Sequence, residues 1–188
     1  MGKGRLEAFS DGVIAVIITI MVLEMKVPHG SDFEALVPLV PVFLAYVLSY
    51  VYVGIYWNNH HHLMHAVQKV NGAVLWTNLH LLFWLSLVPF VTGWVSENHF
   101  APVPVALYGV VLMCSGIAYY FFAHCLETLH GRDSQLARSL GSDVKGKISV
   151  AIYAVAIPLA FVKWWIAFAL YVLVAAVWFV PDRRFEKG

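Results

Sequence analysis

Charge is scarce in this sequence. Asp, Glu, Lys and Arg make up 12% of its 188 residues, about half the share in an ordinary soluble domain. Hydrophobic residues make up 61%. That balance cannot clothe a soluble globule, and it places the chain in a membrane. The net charge of +1 lacks the basic excess that nucleic acid would demand. Cysteine is scarce too. Cys114 and Cys125 share one apolar stretch, which reads as buried thiols and excludes a disulfide framework. Loop glycines are not clustered as a phosphate cradle requires, and no P-loop, dinucleotide fingerprint or nucleophile elbow occurs. The sequence therefore calls for no enzyme activity and no cofactor. There is no low-complexity linker and no internal repeat, and 188 residues suit a single domain, 1–188.

What is present is six apolar stretches. The expected spans are 8–27, 36–57, 73–95, 100–123, 148–162 and 164–180, giving an all-α membrane protein with six transmembrane helices per subunit. Pro38 and Pro41 fall in the first turns of the second span, where proline is tolerated. That helix is expected to continue past the membrane through Asn58 to His62. Pro89 should kink the third span, and Lys163 alone separates the last two, which form a hairpin. Tryptophans 57, 76, 94, 164, 165 and 178 gather near segment ends as an aromatic belt would. A signal peptide is not the reading of the N-terminus. Glu7 and Asp11 interrupt its basic region, and the apolar run ends in Glu24-Met25-Lys26 without a small-residue cleavage site.

Six spans put both termini on one side. Lys3, Arg5, Lys69, Arg132, Arg138, Lys145, Lys147, Arg183, Arg184 and Lys187 then share that side, leaving only Lys26 and Lys163 opposite. Basic residues concentrate in the cytoplasm, so both ends are expected to be cytoplasmic. The balance fails if the first segment does not cross.

The first segment is unusual. Its uncharged run, Gly12 to Leu23, lies between Asp11 and Glu24. Twelve helical residues rise about 18 Å, short of the roughly 30 Å of hydrocarbon that a lipid-facing helix must cross. Charges at both ends imply contact with water inside an assembly. Val16, Thr19, Ile20 and Leu23 follow the i, i+3, i+4, i+7 spacing of one helical face, extended by Gly12 and Val27, with Ile14, Ile18 and Met21 opposite. Such a stripe can be ordinary packing. Repeated around an axis it would instead stack apolar rings around a Thr19 ring. Apolar rings can gate by dewetting and acidic rings favour cations. A 21.0 kDa subunit is too small to wrap a pore alone, so a pore would need several copies.

Arg5-x-x-x-Phe9-Ser10-Asp11 followed by an apolar helix resembles the signature of the transmembrane protein 175 family of potassium channels. The run Gly12 to Pro28, the pattern Tyr56-Trp57-x-x-His60-His61 and the stretch Asn78 to Gly93 are similar to helices of its prokaryotic members. The resemblance covers the first half of the chain. It implies a homotetramer in the bilayer, with the first helix of each copy lining a potassium-permeable pore around a fourfold axis. It also implies no TVGYG carbonyl filter, and none occurs here. The family's pore-lining positions follow the motif aspartate by five, nine and twelve residues, with a threonine at eight. Here they are Val16, Ile20, Leu23 and Thr19. Val16 departs in size, since isoleucine or leucine is commoner there. The resemblance further implies that Arg5, Phe9, Ser10 and Asp11 tie the first helix to its neighbours near the cytoplasmic mouth, with Trp57 and His60 or His61 as partners. N-capping is an alternative job for Ser10 and Asp11. Asp11 and Glu24 would draw cations to the two mouths.

His60, His61, His62 and His65 raise two other readings. His61 and His65 sit at i, i+4, a metal-site spacing, but no nearby Cys or acid completes a set. His80 and His124 could join only through tertiary contacts. A cluster beside Arg5 could instead tune opening with pH. The rivals to a channel are an ion-coupled secondary transporter, which lacks the expected pair of broken helices, and a membrane-embedded metal enzyme.

Overall fold

The structure is a computed structural model and describes residues 2–131, 134, 136–137 and 143–179. Arg132, Arg138, Val180, Arg183, Arg184 and Lys187, used above for spans and sidedness, lie outside the described residues. The described residues are all-helical, without a strand. They form α1 (Lys3–Met21), α2 (Val40–Ala66), α3 (Gly72–Ser86), α4 (Val88–Glu97), α5 (Pro102–His130), α6 (Val144–Leu159) and α7 (Trp164–Phe179). Short 3-10 turns follow α1 at Val22–Glu24 and precede α2 at Phe33–Leu39. Counting α3 and α4 as one interrupted helix gives six segments, of which four are long and apolar enough to cross a membrane.

The first helix is longer than its uncharged run. It begins at Lys3 with Gly2 as N-cap, so Ser10 and Asp11 lie within the helix and the capping alternative fails. Nineteen residues rise about 28 Å, and the 3-10 turn adds roughly 6 Å more. The expected shortfall against the bilayer is therefore corrected. Counting only uncharged residues missed two inner turns, where Glu7 and Asp11 find partners on α2.

The other elements follow their local chemistry. Asp32, Asn71 and Asp143 each accept a backbone N–H three residues on, from Ala35, Val74 and Gly146, and open their helices. Proline at the second position of α4 interrupts the helix at Leu87, because Pro89 has no N–H to give the carbonyl four residues back and its ring crowds that carbonyl. α2 runs without a break to Ala66, past the histidines. α6 and α7 form the expected hairpin, turning through 160–163. Cys114 and Cys125 are free thiols on α5.

Helix α5 is the most buried of the four long spans, and side chains of α2 reach it across the core. Leu48, Tyr52 and Val53 of α2 and Tyr108, Leu112 and Phe122 of α5 are buried there. Polar groups in this core are satisfied in pairs. Ser49 meets the Thr92 hydroxyl at 2.7 Å and the Tyr108 hydroxyl at 2.9 Å. The Tyr153 hydroxyl donates to the Tyr52 hydroxyl at 3.1 Å, and the Tyr171 hydroxyl to the Val105 carbonyl at 3.2 Å. Helix α1 lies against α2, α3 and α4 through one face only.

Candidate functional site

That one-sided packing divides α1. Leu6, Ser10, Ile14, Ile17 and Met21 are buried against the neighbouring helices. Ile14 is 1% exposed and Met21 0%. The opposite face is uncovered, although it is apolar. Val16 is 60% exposed, Ile20 47% and Leu23 73%, with Phe9 continuing the stripe toward the N-terminus, while Val27 is exposed in the non-helical chain beyond it. Thr19 lies on this face, and its hydroxyl donates back to the carbonyls of Ala15 and Val16, each at 3.0 Å. Its proton is thus engaged by its own helix. Both lone pairs of the oxygen remain open, an acceptor on an otherwise apolar surface.

At the inner end, α1 is held by a buried polar chain. The Ser10 hydroxyl donates to the Leu6 carbonyl at 2.9 Å, and the Asn78 amide of α3 donates to Ser10 Oγ at 2.9 Å. Asn78 Oδ1 lies 3.0 Å from His60 Nε2 of α2. Ser10 and His60 are 0% exposed and Asn78 2%. The His60 ring stacks on Phe122 of α5, 5.3 Å between centroids. Its Nδ1 is the one buried side-chain nitrogen or oxygen without a partner among the described residues. With Nδ1 bare, Nε2 carries the proton that Asn78 accepts.

Beside this chain runs a second, more exposed contact. The Trp57 indole N–H of α2 donates to Asp11 Oδ1 at 3.0 Å. The Trp57 ring stacks on His61, 5.7 Å between centroids. His61 Nδ1 lies 3.9 Å from Glu7 Oε1, and its ring meets that of His65 edge-on. The Lys3 ammonium reaches the His65 carbonyl at 3.3 Å. Glu7, Asp11, Trp57 and His61 thus clamp the inner turns of α1 to α2. Among the described residues no three His, Cys, Asp or Glu side chains could hold a metal ion.

The motif residues therefore separate. Ser10 and Asp11 bind neighbouring helices within the chain. Arg5 and Phe9 are exposed and lie at the inner end of the uncovered stripe. His60 and His61 meet Asn78 and Glu7, not Arg5. At the outer end, the Glu24 carboxylate turns back onto α4. A Cβ on Gly93 would stand 2.7 Å from Glu24 Oε2. Beside it, Lys26 pairs with Glu97 at 3.1 Å. Asn78 was not singled out from sequence as a site residue. The available signal was a lone amide within an apolar span, where polar groups are expensive and tend to be functional.

The profile of the family described as endosomal/lysosomal potassium channel TMEM175 matches residues 5–89, the segment that holds the contacts just described except those of Lys3, Phe122, Gly93 and Glu97. The chain is 54% identical over 188 residues to a potassium channel of Chryseobacterium sp. (strain P1-3), covering all of this chain and 98% of that one. The chain belongs to the TMEM175 family. A potassium channel of Streptomyces collinus is 31% identical over 172 residues, covering 86% of this chain and 84% of that one. The crystal structure of a lysosomal potassium-selective channel TMEM175 homolog from Chamaesiphon minutus superposes with a TM-score of 0.78 at 28% identity, covering 95% of this chain and 96% of that one. This TMEM175 member is thus an integral, multi-pass membrane protein of a channel family, and not an enzyme.

Proposed function

We propose that four copies of this chain surround a central axis with α1 innermost and form a potassium-permeable channel. In this reading residues 1–188 are one six-span channel domain, both termini are cytoplasmic, and the membrane is a prokaryotic plasma membrane. Potassium is what passes, and no cofactor takes part. The observation that carries the reading is the uncovered face of α1. Val16, Thr19, Ile20 and Leu23 face away from their own bundle, while Ile14 and Met21 across the same helix are sealed. An apolar face of this kind on the family's signature helix suits a lumen shared between copies.

Val16, Ile20 and Leu23 would then form apolar rings and act as the constriction in place of a carbonyl filter. The four Thr19 oxygens would accept a partly dehydrated cation between them. Arg5 and Phe9, exposed on the same stripe, would meet neighbouring copies. Asp11 would supply negative charge at the inner mouth. Glu24 would do the same at the outer mouth from its position against Gly93.

The test is reconstitution into liposomes, with a potassium gradient and a protonophore to balance charge. Mass measurement of the purified protein should give a four-copy species. Potassium flux should occur, and Ile20→Asn should alter its rate and ion preference. Flux unaffected in both respects would remove α1 from the pore. A species of another size would overturn the fourfold assembly.

A further inference from the structure

Away from α1, a two-lobed cleft opens between α2, α5, α6 and α7. It lies at the end of the bundle that carries the N-terminus. Tyr52, Tyr56 and Asn59 line it from one face of α2, while Trp57, His60 and His61 of the same turns face α1 and α3. The inner lobe holds about 40 Å³ and is walled by aromatic rings, Tyr119, Tyr153 and Trp178 among them. The outer lobe holds about 270 Å³ and opens between α5 and α6 beside Ile117, Tyr120, Lys147 and Val150. Gly116, Asp143 and Gly146 border both lobes and form the neck. A Cβ on Gly116 would lie 3.6 Å from the Tyr56 hydroxyl and 3.7 Å from Val150 Cγ2. Those are ordinary contact distances, so the glycine leaves a gap that its neighbours do not fill.

The chemistry of the cleft changes with depth. The inner lobe has room for one or two waters. The Tyr56 hydroxyl, without a hydrogen-bond partner among the described residues, would bind one. The outer lobe is mainly apolar along α5 and the α6 side of the opening. Its mouth is cationic. Lys147 lines it, and Lys145 stands 6.0 Å over the Trp178 ring. Among the described residues Asp143 is the one carboxylate that lines the cleft, and it is engaged in capping α6 through the Gly146 N–H at 3.2 Å. An apolar trench with a cationic mouth on the flank of a membrane bundle matches an anionic amphiphile. Basic pockets between membrane helices recognise such headgroups.

We propose that this cleft binds an anionic phospholipid, with its phosphate at Lys147 and one acyl chain laid along Gly116, Ile117 and Val150. The site is separate from the pore face, and its occupancy does not depend on ion conduction.

The experiment uses the full chain in mixed micelles with phosphatidylglycerol carrying a diazirine on one acyl chain. After photolysis, the label is mapped by peptide mass. The expected label falls within residues 116–120 and 147–150. Unlabelled phosphatidylglycerol should displace it about fivefold better than phosphatidylcholine, and Lys147→Gln should erase most of that preference, as loss of one interfacial lysine implies. Gly116→Leu should fill the neck and abolish the label, while Gly116→Ala keeps it. If Gly116→Leu does not fold, Val150→Trp serves as the filling variant. Label spread evenly over the lipid-facing helices, equal displacement by both lipids, or displacement by inorganic phosphate alone would each overturn the proposal.

Discussion

Asp11 and Trp57 are joined by a hydrogen bond of 3.0 Å from the indole N–H to Oδ1, across the contact of α1 with α2. The same indole stacks on His61, so ring and N–H perform separable jobs. Trp57→Phe should keep the stacking and lose the bond. A hydrogen bond to a charged acceptor contributes about 1.5–3 kcal/mol when sheltered, and this one is exposed, so about 1 kcal/mol of stability should go. Asp11→Ala should lose at least as much and also impair assembly or gating. Thermal unfolding of both purified variants, with flux beside it, checks this. Wild-type current and oligomer yield in Asp11→Ala would leave the bond without a role.

Asn78 joins Ser10 to His60 in a buried position. Asn78→Leu fills the space and leaves Ser10 its bond to the Leu6 carbonyl, but it orphans His60 Nε2. One unsatisfied buried group costs about 1–3 kcal/mol, which is the expected loss. His60→Leu alone should cost less than Asn78→Leu. In the double variant the two losses should add to less than their sum, because the bond between them is counted twice. Strict additivity in chemical unfolding would show that the chain is not coupled.

Two glycines should respond oppositely to alanine. At Gly109 the new Cβ would run into the Tyr171 ring, with Cζ at 2.7 Å, and that ring is fixed by the hydroxyl's bond to Val105. Overpacking against a fixed group costs about 1–3 kcal/mol or more. At Gly93 the new Cβ meets only the end of the flexible Glu24 side chain. Gly93→Ala should swing that carboxylate away for well under 1 kcal/mol, within the ordinary range for such sites. Melting temperatures of the two variants separate the cases; similar losses would mean that Glu24 is held as firmly as Tyr171.

Much of the fold was legible because a bilayer imposes simple rules. Apolar run length marked the helical segments, Pro89 marked the break before α4, and the four-residue turn at Lys163 marked the hairpin. The uncovered stripe was also legible, since Val16 to Leu23 obey helical spacing and Ile14 and Met21 fall opposite. Other features were not legible. The early start of α1 was hidden because Arg5, Glu7 and Asp11 resemble a boundary when counted by charge alone. Their compatibility with helix depends on Trp57 and His61, some fifty residues away. The Ser10–Asn78–His60 chain joins three helices, and spacing within one helix carries no information about it. The seat of the Glu24 carboxylate was hidden as well: it lies against Gly93, which has no side chain to exclude it.

Thr19 supplies the last prediction. Among the four stripe residues it alone offers oxygen, and its proton is already given to Ala15 and Val16. A hydroxyl in that state can only accept, which suits a cation and not an anion. Thr19→Val keeps the shape and removes the acceptor. Backbone support should be unaffected, because the lost bonds run within the same turn. The expected result is a folded channel whose potassium over sodium preference falls about fivefold, the effect of about 1 kcal/mol on relative ion binding. Thr19→Ser, which keeps the oxygen, should retain most of the preference. Reversal potentials in mixed potassium and sodium solutions measure both. An unchanged reversal potential in Thr19→Val would move the origin of selectivity away from the hydroxyl and onto the apolar rings of Ile20 and Leu23, where the width of the dehydrated passage would have to account for it.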